Sequence, residues 1–91
     1  MTFEEARSQF PVLERFAYLQ AGSVGPLAYS TIEAMHSEEE HGLHHGRGSG
    51  AQFERILALR EELRSEIAGL VDVDVERVAL TASTTDGCNV V

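Results

Sequence analysis

Ninety-one residues set one small domain as the ceiling, and a chain of this length buries only about 60 to 65 per cent of the surface it exposes when unfolded, which excludes a large core. Fifteen acidic against seven basic residues give a formal charge of −8, which repels nucleic-acid phosphate and anionic membrane surfaces, so neither a nucleic acid nor a membrane is expected as a partner. No apolar run approaches the roughly 18 residues of a membrane span, the opening Met1–Arg7 has no secretory pattern, and the lone Cys88 cannot form an internal disulfide, so a cytoplasmic location is expected.

Thr2 followed by Glu5 has the capping-box spacing, which predicts a short helix over about Phe3–Gln9, ended by Pro11. Phe16-Ala-Tyr-Leu19 predicts a brief strand that opens into the turn-forming segment Gln20–Pro26, where Gly22 and Gly25 allow a tight turn or a close approach to a ligand. Pro26 suits a first helical position, and Leu27, Ile32 and Met35 share one side of a helix expected to run to about Glu40. Four glycines in His41–Gly50 predict a loop. From Ala51 onward, Phe53, Ile56, Leu57, Leu63, Ile67 and Leu70 form an apolar stripe on a long helix, read as core packing, with Gly69 placed to supply a left-handed closing residue. Arg77–Thr81 reads as a short buried strand, followed by a polar turn over Ala82–Gly87 and an apolar run, Cys88–Val91. The chain stops inside that run, which is expected of a truncated element rather than a finished domain.

The segment with the clearest chemistry is the junction at Thr81–Asn89. Ser83, Thr84 and Thr85 would set hydroxyls and free backbone N–H groups at a helix N-terminus, where the unpaired amides and the helix dipole hold a dianion without any basic side chain. The same Ser-Thr-Thr-Asp run is also an ordinary helix cap. His36, His41, His44 and His45 lie near several glutamates, and His41 and His45 would share a face if their helix continued. Metal ligation is only weakly signalled by their spacing, no metal is expected, and solvated loop histidines are the simpler reading.

Three segments in order resemble the N-terminal part of class V aminotransferases, the group that includes cysteine desulfurases, C–S lyases and kynureninases. They are Phe16-Ala-Tyr-Leu-Gln-Ala-Gly-Ser-Val-Gly-Pro26, the Gly/His loop before the long helix, and Arg77-Val-Ala-Leu-Thr-Ala-Ser-Thr-Thr-Asp-Gly-Cys-Asn-Val-Val91, whose Thr-Thr-x-Gly-Cys wording is closest to the C–S lyases. The resemblance covers roughly residues 8 to 91. It implies a pyridoxal 5′-phosphate (PLP) cofactor, a small amino-acid substrate and a homodimer in the complete enzyme. It also implies an α/β fold, namely the N-terminal portion of a fold-type-I PLP enzyme, here mostly helical with short strands and cut off before most of the central sheet. Residues 1–26 would be an arm reaching the small domain and the active-site entrance, and 27–91 the start of the large PLP-binding domain.

Carried over by residue, the resemblance puts the cofactor phosphate on the backbone N–H groups of Thr84 and Thr85 and on the Thr85 hydroxyl, with Ser83 shaping the turn. Gly22 and Ser23 would border the substrate carboxylate, and His45 and Arg47 are further candidates for substrate contacts. A PLP enzyme also needs a lysine to carry the cofactor as a Schiff base, and this chain contains none. The 91 residues are therefore expected to be inactive alone. Cys88 does not match the mobile desulfurase cysteine and is expected to be a small core residue. The rival expectation is a free-standing acidic helical module, without catalysis, whose apolar stripe pairs with a partner or with a second copy.

Overall fold

The computed structural model describes residues 1–91, which fall into two compact units, Met1–Gly46 and Arg47–Val91. Every regular element is helical: α1 (Phe3–Ser8), a 3-10 turn (Pro11–Glu14), α2 (Tyr29–His45), α3 (Gly50–Val71), a second 3-10 turn (Val75–Arg77) and α4 (Thr84–Val90). The expected α/β class is thereby corrected, because neither Phe16–Leu19 nor Arg77–Thr81 forms a strand. A strand is made by a neighbour as much as by its own β-branched and aromatic residues, since its amides and carbonyls need a ladder partner. Val78 does have extended dihedrals (φ −108°, ψ 121°), but its carbonyl is taken by an arginine side chain instead of a second strand.

In the first unit, α1 opens on the expected capping box: the Glu5 amide donates to Thr2 Oγ1 at 3.2 Å and the Thr2 amide to Glu5 Oε2 at 2.6 Å. Pro11 begins the first 3-10 turn instead of merely ending α1, which suits a residue with φ fixed near −65° and no N–H to place. The segment after it is held by Tyr18, whose hydroxyl donates to the Val24 carbonyl, and by the Ser23 and Val24 amides, which both donate to Gln20 O at 3.0 and 2.9 Å. Helix α2 starts at Tyr29, later than Pro26, and its N-cap Ala28 has no side chain to offer. Gln9 serves instead, its carbonyl accepting from the Tyr29 amide at 2.9 Å and its side-chain Oε1 from the Ser30 amide at 3.4 Å.

Helix α2 also runs past the expected end at Glu40 and absorbs His41–His45, half of the predicted loop. Glycine lowers helix stability without forbidding it, and Gly42 sits inside the helix and is buried. The glycine that ends α2 is Gly46, at φ 76°, whose amide returns to the Gly42 carbonyl at 2.9 Å.

In the second unit, Ser49 caps α3, its Oγ accepting from the Gln52 amide at 3.1 Å. The left-handed residue at the other end is Asp72 (φ 56°, ψ 53°), not Gly69, which stays helical. The Val73 amide then reaches back to the Ala68 carbonyl at 3.0 Å, the long bond of a Schellman closure. Ala68, 4% exposed, is the buried hydrophobic residue of the chain. The α3 stripe is not core packing within these 91 residues, because Phe53 is 63% and Leu70 86% exposed, and Ile56, Leu57 and Leu63 are exposed as well.

Arg64 ties α3 to the second 3-10 turn. Its Nε donates to the Val78 carbonyl at 2.8 Å and one terminal nitrogen to the Val75 carbonyl at 2.9 Å, while the other meets both carboxylate oxygens of Glu61 at 2.8 and 2.9 Å. The planar fork of a guanidinium is what allows one side chain to serve three acceptors at once.

Candidate functional site

Ser83, Thr84 and Thr85 are brought together at the start of α4, in the second unit. Ser83 is extended (φ −159°, ψ 167°) and is the N-cap, its Oγ accepting from the Asp86 amide at 3.1 Å. Asp86 reciprocates one residue upstream, its Oδ2 accepting from the Ala82 amide at 3.2 Å. Thr81 braces the turn by donating its hydroxyl to the Ser83 carbonyl at 3.2 Å. That carbonyl also accepts from the Gly87 amide at 3.0 Å, closing the first turn of α4. Gly87 lies under Thr81: a Cβ placed on it would stand 3.4 Å from Thr81 Oγ1, which is ordinary contact, so the glycine is compatible with the site without being forced by it.

After this capping, the amides of Thr84 and Thr85 have no acceptor in the protein, and both residues are exposed. The site therefore offers two main-chain donors, the adjacent threonine hydroxyls and the positive end of a short helix, which are the donors a phosphate oxyanion requires. The charge on Asp86 works against a dianion. Arg64, the last arginine of α3, is already engaged with Val75, Val78 and Glu61. The phosphate end of a PLP molecule fits these donors, whereas its aldehyde end finds no lysine anywhere in the chain.

The other candidates lie elsewhere. Gly22 and Ser23 occupy the exposed turn at Gln20–Val24 in the first unit; Gly22 has no positive φ, and a Cβ on it would meet nothing within 4 Å. Arg47, exposed, opens the second unit. His45 is helical, not in a loop, and stacks on His41 with ring centroids 4.3 Å apart and planes 15° from parallel. No three of the chain's His, Cys, Asp and Glu side chains come together as a metal-holding group. Cys88 is exposed on α4, which corrects the expectation of a core residue: seven helical residues bury too little for it to be enclosed. No helix is long and apolar enough to cross a membrane.

Asp86, Gln9 and Arg64 are structural residues, of which sequence pattern signals only the first. The Ser-x-x-Asp spacing of Ser83 and Asp86 is the available signal for the first. Gln9 and Arg64 act on residues 20, 21, 11 and 14 positions away, and no local pattern announces such partners.

Against known proteins, the chain is similar over 92 aligned residues, its whole length, to a protein named "Probable cysteine desulfurase" from Methanothermobacter thermautotrophicus, with 27% identity. The chain spans 23% of the length of that relative. No family model and no solved structure matches the chain. The similarity establishes a distant relation to a protein bearing an enzyme's name, over a small part of that protein.

Proposed function

We propose that these residues supply the phosphate cradle of a PLP-dependent enzyme acting on a small amino acid, of the cysteine desulfurase or C–S lyase kind. The observation that carries this reading is the pair of unsatisfied amides at Thr84 and Thr85, set behind a Ser83 cap that is fully occupied by the helix itself. The similarity of this chain, at 27% identity, to 23% of a protein named as a probable cysteine desulfurase supports it from outside the site. When bound, PLP supplies an electron sink for the substrate's α-carbon. The chain's own residues do the holding. The Thr84 and Thr85 amides and the Thr85 hydroxyl donate to the phosphate, and Ser83 keeps the turn open by satisfying Asp86. By the resemblance, Gly22 and Ser23 are assigned to the border of the substrate carboxylate, and His45 and Arg47 are further candidates for substrate contacts. The lysine and the residues that grip the pyridine ring are supplied from outside these 91 residues, and the complete enzyme is a homodimer in which 1–26 form an arm and 27–91 begin the cofactor-binding part.

The test is a pair of fluorescence titrations, with pyridoxine 5′-phosphate and with unphosphorylated pyridoxine, neither of which carries an aldehyde to react with amines. The phosphate ester is expected to bind the chain and pyridoxine not to. Thr85→Ala should weaken the ester by about tenfold, the worth of roughly one hydrogen bond to a charged group. Equal binding of the two compounds, or an unaffected Thr85→Ala variant, contradicts the cradle.

A second reading has one observation in its favour. The exposed stripe of α3 and a net charge of −8 suit an acidic helical module that pairs through that stripe, without catalysis. Tight self-association in sedimentation together with indifference to both pyridoxine compounds would favour this module.

A further inference from the structure

The end of α2 holds a feature that the cofactor reading does not use. His41 and His45 stand four residues apart within a continuous helix, so they share one face, and their rings stack at 4.3 Å with an interplanar angle of 15°. His45 Nδ1 lies 3.1 Å from the His41 carbonyl oxygen, which can only accept, so Nδ1 donates, and in the neutral ring Nε2 is the nitrogen with the free lone pair. A ring nitrogen fixed in this way by a carbonyl on its opposite side is the arrangement that prepares a histidine for a metal. Both residues are exposed, so an ion can reach them and water can complete its shell.

We propose that His41 and His45 form an open two-histidine site for a divalent first-row transition ion of the Ni²⁺, Cu²⁺ or Zn²⁺ kind. Two metal–nitrogen bonds of about 2.0–2.1 Å at a cis angle place the ligating nitrogens about 2.9–3.4 Å apart, and because imidazole lone pairs lie in the ring planes, both exposed rings turn out of their stack to meet one ion. Histidines four apart on a helix are a recurring way to hold zinc on one face. The surroundings favour a cation. His45 lies in the last turn of α2 and His41 one turn before it, toward the negative end of the helix dipole, in a chain carrying a net charge of −8. Because no third His, Cys, Asp or Glu joins the pair, water fills the remaining positions, and the site is exchangeable rather than a closed structural centre. Imidazole ligands select these ions over Mg²⁺ and Ca²⁺, which prefer oxygen. A bound ion also clips the final turn of α2 just before Gly46, where the helix ends.

The test is calorimetric titration of the full chain with Ni²⁺ in a Cys88→Ser background, which removes the one competing thiol. One ion per chain is expected, with little response to Mg²⁺. His41→Gln and His45→Gln should each lower the affinity at least about tenfold, the loss that removing even an outer partner of a metal ligand causes. His36→Gln is the control, and His44→Gln asks whether the neighbour three residues from His41 substitutes for His45; both should change the affinity less than about threefold. Glutamine keeps helix propensity, and circular dichroism of each variant checks that α2 persists. In addition, Ni²⁺ should slow hydrogen exchange at the His45 and Gly46 amides of the parent chain. Losses shared evenly among the four histidines, affinity unchanged in the His41 and His45 variants, or exchange at Gly46 indifferent to Ni²⁺ would each overturn the site. The pyridoxine titrations leave this result untouched, so the two proposals stand or fall separately.

Discussion

Asp72 carries the left-handed turn that closes α3, while three residues earlier Gly69 makes no use of its conformational freedom, being helical and open to solvent. Two exchanges of opposite kind are therefore expected to act in the same direction. Gly69→Ala should stabilise the second unit by about 0.5–1 kcal/mol, because a Cβ there meets no atom within 4 Å and alanine restricts the unfolded chain. Asp72→Gly should also stabilise it, by roughly 0.5–1 kcal/mol, since a left-handed conformation costs an L-residue energy that glycine does not bear. Thermal melts of the two variants check both signs. The sequence indicated that a left-handed residue was needed near position 70, but glycine content alone pointed to the wrong one.

Glu5 gives the pH counterpart at the same scale. Its carboxyl is held below its ordinary range, first by the Thr2 main-chain amide and then by the Thr2 side chain. A carboxyl whose value is lower folded than unfolded stabilises only while ionised. Its contribution is complete above the unfolded value and is lost as pH falls through the lower folded one. Carbon chemical shifts over Phe3–Ser8 should therefore report a loss of helix α1 on acidification below the ordinary carboxylate range, and Glu5→Gln should flatten that profile. Both capping residues were legible from the sequence, because a capping box is written in four consecutive positions.

Among the elements, α4 depends on a residue that sequence pattern does not reveal. Arg64 holds the Val75 and Val78 carbonyls, and through them the segment that delivers Ser83 to the start of α4. Arg64→Met keeps the apolar stem and removes every donor. It should loosen residues 78–86, seen as faster amide exchange, at a cost of about 1–3 kcal/mol for hydrogen bonds from a charged group. Arg64→Lys should recover only part of this, because an ammonium cannot span two carbonyls in a planar fork. Helices α1 and α3 were readable from capping spacing and 3.6-residue periodicity, whereas α2 differs at both ends, the two 3-10 turns have no sequence signal, and α4 takes up Thr84–Gly87 of the turn expected over Ala82–Gly87. The two strands were misread for a physical reason: Phe16–Leu19 and Arg77–Thr81 have strand-like composition, but composition does not supply the pairing partner that a strand needs. In their place the chain uses side chains, Tyr18 on Val24 and Arg64 on Val78.

At the scale of the whole molecule, the exposed apolar side chains of α3 weigh most. Phe53, Ile56, Leu57, Leu63 and Leu70 face water, while Ala68 alone among the hydrophobic residues is buried. Burial of apolar surface is worth about 25 cal/mol per Å², so a stripe of this kind gains free energy from any cover it finds. The chain should therefore associate with itself at raised concentration. Leu57→Glu together with Leu63→Glu should shift it toward monomer in sedimentation without lowering its helix content, because both positions already face solvent.

The candidate phosphate site was the most legible part of the chemistry, since cap, hydroxyls and free amides succeed one another within a few residues. It is also what the functional account depends on. The most direct measurement is an amide-resolved NMR titration of the 15N-labelled chain with pyridoxine 5′-phosphate. The account predicts that the Thr84 and Thr85 amide signals move first and furthest, that unphosphorylated pyridoxine leaves them in place, and that Ser83→Ala abolishes the movement. If the ester is added to millimolar concentrations and those two amides stay still while signals elsewhere respond, the cradle is contradicted.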